Sequence, residues 1–324
     1  MDSVLKAWGR LANRSPVLAF VDWCLRGIGQ VMFQDNPLTG AIFLAAIAWG
    51  SIAAGAPAVL IGGVVAVVAA TLAALWLRVD GAALRSGLFG YNAVLVGLAL
   101  PTFLPAGPLL WLYVLLGAVV SVVATRATAE AGKPFAVAAL TFPFVLVTWL
   151  MLLASHGFSA VSAPLATEPA VLPIAESNPL DAIAFLGAVL KSISQVFLKA
   201  SFVAAILFVI GLAVNSVAAA LFAVAGAIVA VAFAHLFGAE SELVTGGLLG
   251  FSPVLTAVAL GTVFYRPSGR VALYALVGTL FTVVAQAATN AALAPIGIPS
   301  LTAPFVLTTW LFLLPRQSFE TDKG

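Results

Sequence analysis

Five stretches of this chain contain no Asp, Glu, Lys or Arg: Asn36 to Leu77, Ser86 to Thr125, Pro134 to Thr167, Ala200 to Ala239, and Val271 to Pro315. About 20 apolar residues carry a helix across the hydrocarbon of a bilayer, so most of these stretches hold two crossings joined by a tight Gly, Pro or Ser turn. Only 8% of the 324 residues are charged and 63% are hydrophobic, against roughly 25% charged in an ordinary soluble domain. A water-facing surface cannot be built from such a composition, so the solvent of this fold is lipid. In lipid every backbone polar group must be bonded internally, which leads to an all-α integral membrane protein.

The remaining chemistry is sparse. The net charge is +2, with no basic run or aromatic-basic interleaving, which argues against nucleic acid as a partner. Cys24 is the single cysteine and excludes an internal disulfide, while His156 and His235 lie too far apart for metal-ligand spacing. All three read as packing or interfacial residues, and no metal or cofactor is called for. The lead from Met1 to Pro16 is polar and mildly basic, and the apolar stretch after it carries Asp22 and Arg26, unlike a cleavable signal peptide. With no Ser/His/Asp grouping, paired carboxylates or Walker-type loop on the conspicuous motifs, the chain does not read as an enzyme.

Three motifs occur twice, in the same order. FVDWCLRGIGQV (Phe20 to Val31) matches FLGAVLKSISQV (Phe185 to Val196). GLFGYNAVLVGLAL (Gly87 to Leu100) matches GLLGFSPVLTAVAL (Gly247 to Leu260), and LTFPFVLVTWL (Leu140 to Leu150) matches LTAPFVLTTWL (Leu301 to Leu311). Shared apolar composition does not place Gln, Gly, Thr, Pro and Trp at corresponding points three times running, so this is an internal repeat. Residues 1–154 form the first copy, 155–181 an extracytoplasmic connecting loop rich in Pro, Ser and Ala, and 182–324 the second copy of one folded unit.

Loop charges orient the copies. Lys6, Arg10 and Arg14 precede the first copy; Arg78 and Arg85 bracket one of its loops, Arg126 and Lys133 another, and the loop at Pro105 to Pro108 is uncharged. In the second copy the Arg78 to Arg85 loop is answered by Glu240 and Glu242, the uncharged loop by Arg266 and Arg270, and Ala294 to Ser300 carries no charge. Arg316 and Lys323 follow it. These signs agree if each copy crosses five times, which turns the second upside down and leaves both termini cytoplasmic. Each copy offers six apolar segments, so one must enter and leave on the same face. The Gln-bearing segments Val17 to Phe33 and Ile183 to Leu198, interrupted by Asp22, Arg26 and Lys191, are the best candidates, because broken helices survive in lipid only when buried in protein or lining a cavity. The expected fold is therefore ten transmembrane helices plus two re-entrant helices, in two inverted repeats of five spans around a central pore.

The expected spans hold almost no ionisable side chain, whereas a charged cargo needs compensating charge at membrane depth. Gln30 and Gln195 supply amides, and Thr141 and Thr302 hydroxyls, symmetrically. A neutral, hydrogen-bonding solute fits that set. Each feature also has a structural reading: the glutamines as glue between helices, the threonines re-bonding a carbonyl freed by Pro143 or Pro304, Gly87, Gly90, Gly247 and Gly250 allowing close approach, and Asp22 with Arg26 pairing at helical spacing.

On these residues the chain resembles the urea transporter family, most specifically in VDWCLRGIGQVMFQDNPLTG (Val21 to Gly40), then SGLFGYNAVLVG (Ser86 to Gly97) and the Thr-x-Pro-Phe elements at Thr141 and Thr302. The resemblance implies passive, channel-like conduction of urea through one narrow filter per protomer of a homotrimer in the cell membrane, and the Ala- and Val-rich composition points to a bacterial one. Carried over, Gln30 and Gln195 become amide-binding positions near the two mouths and Thr141 and Thr302 the midpoint. Val31, Phe33, Tyr91 and Leu95, with Val196, Leu198, Phe251 and Leu255, become an apolar slot. Channels for short amides, ammonia or water, and a non-conducting protein that keeps the repeat, stay open beside urea. The chain departs from the family pattern at Val137 and Ala138, at Ser252 and Pro253, and at Ser201 and Phe202, with Lys199 beside a mouth where it would bias the pore against cations or shift solute preference.

Overall fold

The computed structural model describes residues 2–161 and 175–315. Glu168 of the connecting loop, and Arg316 and Lys323 of the C-terminal segment, lie outside these. Among the described residues all regular structure is helical.

After α1 (Asp2–Ala12), two series of seven helices follow one another. The first is α2 (Pro16–Gln30), α3 (Pro37–Ala53), α4 (Pro57–Trp76), α5 (Gly81–Arg85), α6 (Tyr91–Phe103), α7 (Pro108–Gly132) and α8 (Phe142–Ser155). The second is α9 (Ala182–Ser194), α10 (Phe202–Asn215), α11 (Val217–Leu236), α12 (Ser241–Thr245), α13 (Phe251–Val258), α14 (Gly269–Leu293) and α15 (Ala303–Leu313). Lengths agree closely: α4 and α11 have 20 residues each, α5 and α12 five, α7 and α14 25. α13 continues through a π-turn, Ala259–Val263.

Local chemistry sets the boundaries. Ser15 caps α2 by accepting from the Leu18 amide, and Asn36 caps α3 by accepting from those of Leu38 and Thr39. Ser201, Ser216 and Ser268 do the same for α10, α11 and α14. Such caps satisfy donors that no helix can bond itself, which matters most where water is absent. Left-handed residues end the Gln-bearing segments at Phe33 (φ 63°) and Leu198 (φ 57°), and precede α8 and α15 at Leu140 and Leu301 (both φ 50°).

Four helices among the described residues are long and apolar enough to cross a membrane: Pro57–Trp76, Pro108–Phe135, Val217–Leu236 and Gly269–Ile296. Five more are apolar but shorter, among them Pro37–Ala53 and Ala303–Leu313, and Ala182–Phe197 meets Phe202–Asn215 at a bend of 71°. Their surfaces expose Leu72, Leu112, Leu221 and Leu273, as lipid contact requires. α6 differs: every residue from Asn92 to Leu100 is buried, so it lies inside the protein. The two halves meet along α3 and α10, where Phe43, Phe197 and Phe208 form an aromatic cluster with centroids 4.4–5.3 Å apart. There the Thr39 hydroxyl donates to the Gly211 carbonyl at 2.8 Å.

Candidate functional site

Gln30 ends α2, and Gln195 follows α9 directly. The Gln30 Nε2 donates to the carbonyl of Ser86 at 2.9 Å, and the Gln195 Nε2 donates to that of Gly246 at 3.1 Å. Both carbonyls belong to the residue before a left-handed glycine, Gly87 (φ 77°) and Gly247 (φ 73°). A Cβ on Gly87 would fall 2.3 Å from the Gly27 nitrogen, and one on Gly247 2.5 Å from the Ser192 nitrogen. The glycines therefore let each turn touch the Gln-bearing helix and aim a carbonyl at the amide. Each Oε1 is left without a bonded donor among the described residues, on a half-buried side chain. An anchored amide with its oxygen open is a fixed acceptor.

Phe33 and Leu198, three residues after each glutamine, sit at the left-handed turns. An L-residue there is strained by about 1 kcal/mol, so surrounding packing must hold it. Phe33 meets Phe264 and Phe305 of the second half edge-on, both with centroids 6.1 Å away. Leu198 lines a cavity of about 250 Å³ together with Gln195, Val196, Phe251, Thr302 and Phe144. The structure thus gathers Gln195, Val196, Leu198, Phe251 and Thr302 of the second-half residues singled out from sequence into one space, without Leu255.

Thr302, which lines that space, has its hydroxyl 2.6 Å from that of Thr141, and both side chains are buried. They bond one another rather than the carbonyls freed by Pro143 and Pro304. Around them the halves exchange bonds reciprocally: Trp149 Nε1 donates to the Pro299 carbonyl and Trp310 Nε1 to the Ala138 carbonyl, both at 2.8 Å. Tyr91 donates its hydroxyl to the Leu140 carbonyl at 2.6 Å. Val31, Leu95 and Leu255, assigned to the slot from sequence, are 1%, 1% and 0% exposed and belong to the hydrophobic core.

Sequence reasoning passed over Asn92, which is fully buried. Its Nδ2 donates to Thr125 Oγ1 at 3.0 Å and its Oδ1 accepts from the Phe144 amide at 3.2 Å, fixing the start of α8. The tryptophans were also missed as positioning groups, although both stand eight residues after the threonines in the matched motif. In the second half Ser252 replaces Asn92 and leaves its hydroxyl unpartnered, and Phe251 has no hydroxyl to match Tyr91. The Leu140 carbonyl accepts from the Tyr91 hydroxyl at 2.6 Å and from the Asn92 Nδ2 at 3.4 Å, and its counterpart at Leu301 lacks both donors. Gln286 supports that side differently, donating to Ser300 Oγ at 2.5 Å. The Asp22–Arg26 pair is present at 2.7 Å, extended by Asp35. Among the described residues no group of three or more His, Cys, Asp or Glu side chains could hold a metal ion.

Residues 21–317 match the family described as "UT: Urea transporter". The chain is similar to urea transporter 1 of Ovis aries, of Capra hircus and of Rattus norvegicus. Each is 29% identical over 308 residues, covering 94% of this chain and 79% of the relative.

Proposed function

The chain belongs to the urea transporter family, and from that premise we propose that urea passes through it by way of a filter running from Gln30 through the Thr141–Thr302 pair to Gln195. It is a multi-pass membrane protein and a transporter rather than an enzyme, and its transport of urea is passive. The observations that carry the filter are the matching anchoring of the two glutamines, each leaving one carbonyl oxygen open, and the contact of the two threonine hydroxyls, one of which shares a cavity with Gln195.

Urea is flat and carries four N–H donors. Stripping its water costs several kcal/mol per unreplaced polar group, so a row of fixed acceptors must stand in for the water. The glutamine Oε1 atoms, the threonine hydroxyls and the carbonyls beside them form such a row. Phe33 and Tyr91 on one side, and Val196, Leu198 and Phe251 on the other, supply apolar faces that admit a planar molecule, while Val31, Leu95 and Leu255 pack behind them. A hydrogen bond exchanged between threonine and solute changes stability by only about 1 kcal/mol, so opening the Thr–Thr contact sets no large barrier.

The two copies, 1–154 and 182–324, read as inverted repeats. Reciprocal tryptophan bonds and a self-paired threonine contact are what a two-fold relation produces, because residue i meets j where j meets i. In each half α3, α4, α5 with α6, α7 and α8 supply five crossings, and α10, α11, α12 with α13, α14 and α15 mirror them, while α2 and α9 enter and turn back at Phe33 and Leu198. Support for the orientation comes from the loops. Glu176 and Asn178 of the connecting segment bond Glu240 and Ser241, which puts that segment on the acidic-loop side. Arg14, Arg26 and Arg85 line one pocket, which this reading assigns to the other, cytoplasmic face. Both termini are then cytoplasmic, in a cytoplasmic membrane, and a homotrimer is the assembly carried over from the resemblance.

Stopped-flow light scattering on proteoliposomes tests the reading. Urea flux should saturate and exceed that of acetamide and of empty vesicles; a well-folded protein that conducts no urea would overturn it.

A further inference from the structure

The two copies differ sharply at one place, and the difference leaves a buried cation without an acidic partner among the described residues. In the first half Arg26 is paired with Asp22 and Asp35, and Gln34 and Asn36 bond Asn215 on α10 at 2.8 and 3.3 Å. At the matching positions of the second half stand Lys191 for Arg26, Gly187 and Ala200 for the two acids, Lys199 for Gln34, Ser201 for Asn36, and Gly50 on α3 for Asn215. Both acids and the bridging amide are lost, and a cation is gained.

Lys199 is 5% exposed, and among the described residues its ammonium has neither an ion-pair nor a hydrogen-bond partner. Its stem lies against Gly50, whose Cβ would be 3.1 Å from the lysine Cδ. It lines a groove of about 480 Å³ with Thr102, Ser201 and Phe202, at the N-terminal end of the 14-residue α10. Helix N-termini favour anions, and a desolvated lysine without a counter-ion is costly. Lys191 adds a second cation, 5.6 Å from the Phe202 ring centroid. Around the groove Trp49, Ile52, Phe202, Val203 and Ile206 are exposed apolar side chains, and it opens where α3 ends and α4 begins, at Ala54 and Ala56.

We propose that this groove binds the phosphate of an anionic phospholipid, with Lys199 and the α10 N-terminus holding the headgroup and an acyl chain lying on the exposed faces of α3 and α10. The apolar surround favours a lipid over a free ion, and basic pockets between membrane helices suit such headgroups. The groove borders the proposed solute filter at Leu198, which lines both, while Gln195, Phe251 and Thr302 line the filter side alone.

The test is native mass spectrometry of the full chain in neutral detergent, titrated with phosphatidylglycerol, phosphatidylcholine or inorganic phosphate, for wild type, Lys199→Gln, and Lys199→Gln combined with Gly50→Asn. The double variant rebuilds the amide arrangement of the first half and guards against simple loss of packing. Phosphatidylglycerol should bind wild type selectively and about tenfold more weakly to both variants, the loss expected for one charge-assisted hydrogen bond, while the double variant still elutes as monodisperse protein on gel filtration. Equal lipid retention in all three proteins overturns the proposal, as does binding of inorganic phosphate without lipid. Because lipid retention is read independently of flux, its failure and that of the transport reading are distinguishable.

Discussion

Thr141 and Thr302, 161 residues apart in sequence, bring their hydroxyls to 2.6 Å in the buried centre of the molecule. Each lies just after a left-handed leucine, Leu140 or Leu301, at the start of a proline-bearing helix. The same spacing that separates the threonines separates Trp149 from Trp310, so one relation between the halves produces both contacts.

Replacing Thr302 by Val leaves the Thr141 hydroxyl buried and unpaired, which costs about 1–3 kcal/mol. Urea flux should fall by about tenfold or more in stopped-flow assays. The Thr141→Val, Thr302→Val double variant should melt higher than either single variant, since removing both partners leaves no orphan, yet remain as slow. Double-variant stability equal to the sum of the two losses would exclude the pairing.

Gln195→Leu removes a fixed acceptor and the bond to the Gly246 carbonyl. We expect urea flux to drop about tenfold, in line with the 1.5 kcal/mol scale of one hydrogen bond, with water flux little changed. Gln30→Leu should behave alike, and unchanged urea flux in both would remove the glutamines from the filter.

Trp149→Phe and Trp310→Phe each leave one carbonyl, that of Pro299 or Ala138, without its donor. Trp149→Phe should lower the unfolding midpoint in detergent by an amount corresponding to about 1 kcal/mol, because its bond is part-buried, and Trp310→Phe by less, because its bond is exposed. An unchanged midpoint in Trp149→Phe would remove that bond from what holds the halves together.

Gly87→Ala combines a left-handed backbone with a Cβ 2.3 Å from the Gly27 nitrogen, so the turn holding Gln30 must open. Gel filtration should show loss of monodisperse protein. Gly107→Ala, with nothing within 4 Å of its Cβ, is the control and should purify like wild type.

Much of this was legible in sequence because some residues stand out in an apolar chain. Charge-free stretches gave the lipid environment, and Gln30 with Gln195, Thr141 with Thr302, and Gly87 with Gly247 could be paired by motif order alone. Their bonding could not be read. The threonines had an equally good reading as partners of proline-freed carbonyls, and Asn92 looked like one more polar residue beside Tyr91. The family resemblance puts Val31, Leu95 and Leu255 on the slot, whereas packing buries them in the core.

The sequence by itself determined the solvent, the duplication and the small set of polar side chains that could meet a neutral solute. Only the tertiary structure decided which apolar residues face that space and which face lipid. The reason is physical: helices such as α4 and α11 are apolar on every side, and lipid tails are as apolar as a protein core. Burial therefore leaves no hydrophobic stripe to read, and the inward face is chosen by packing and by the few hydrogen bonds that cross between the halves.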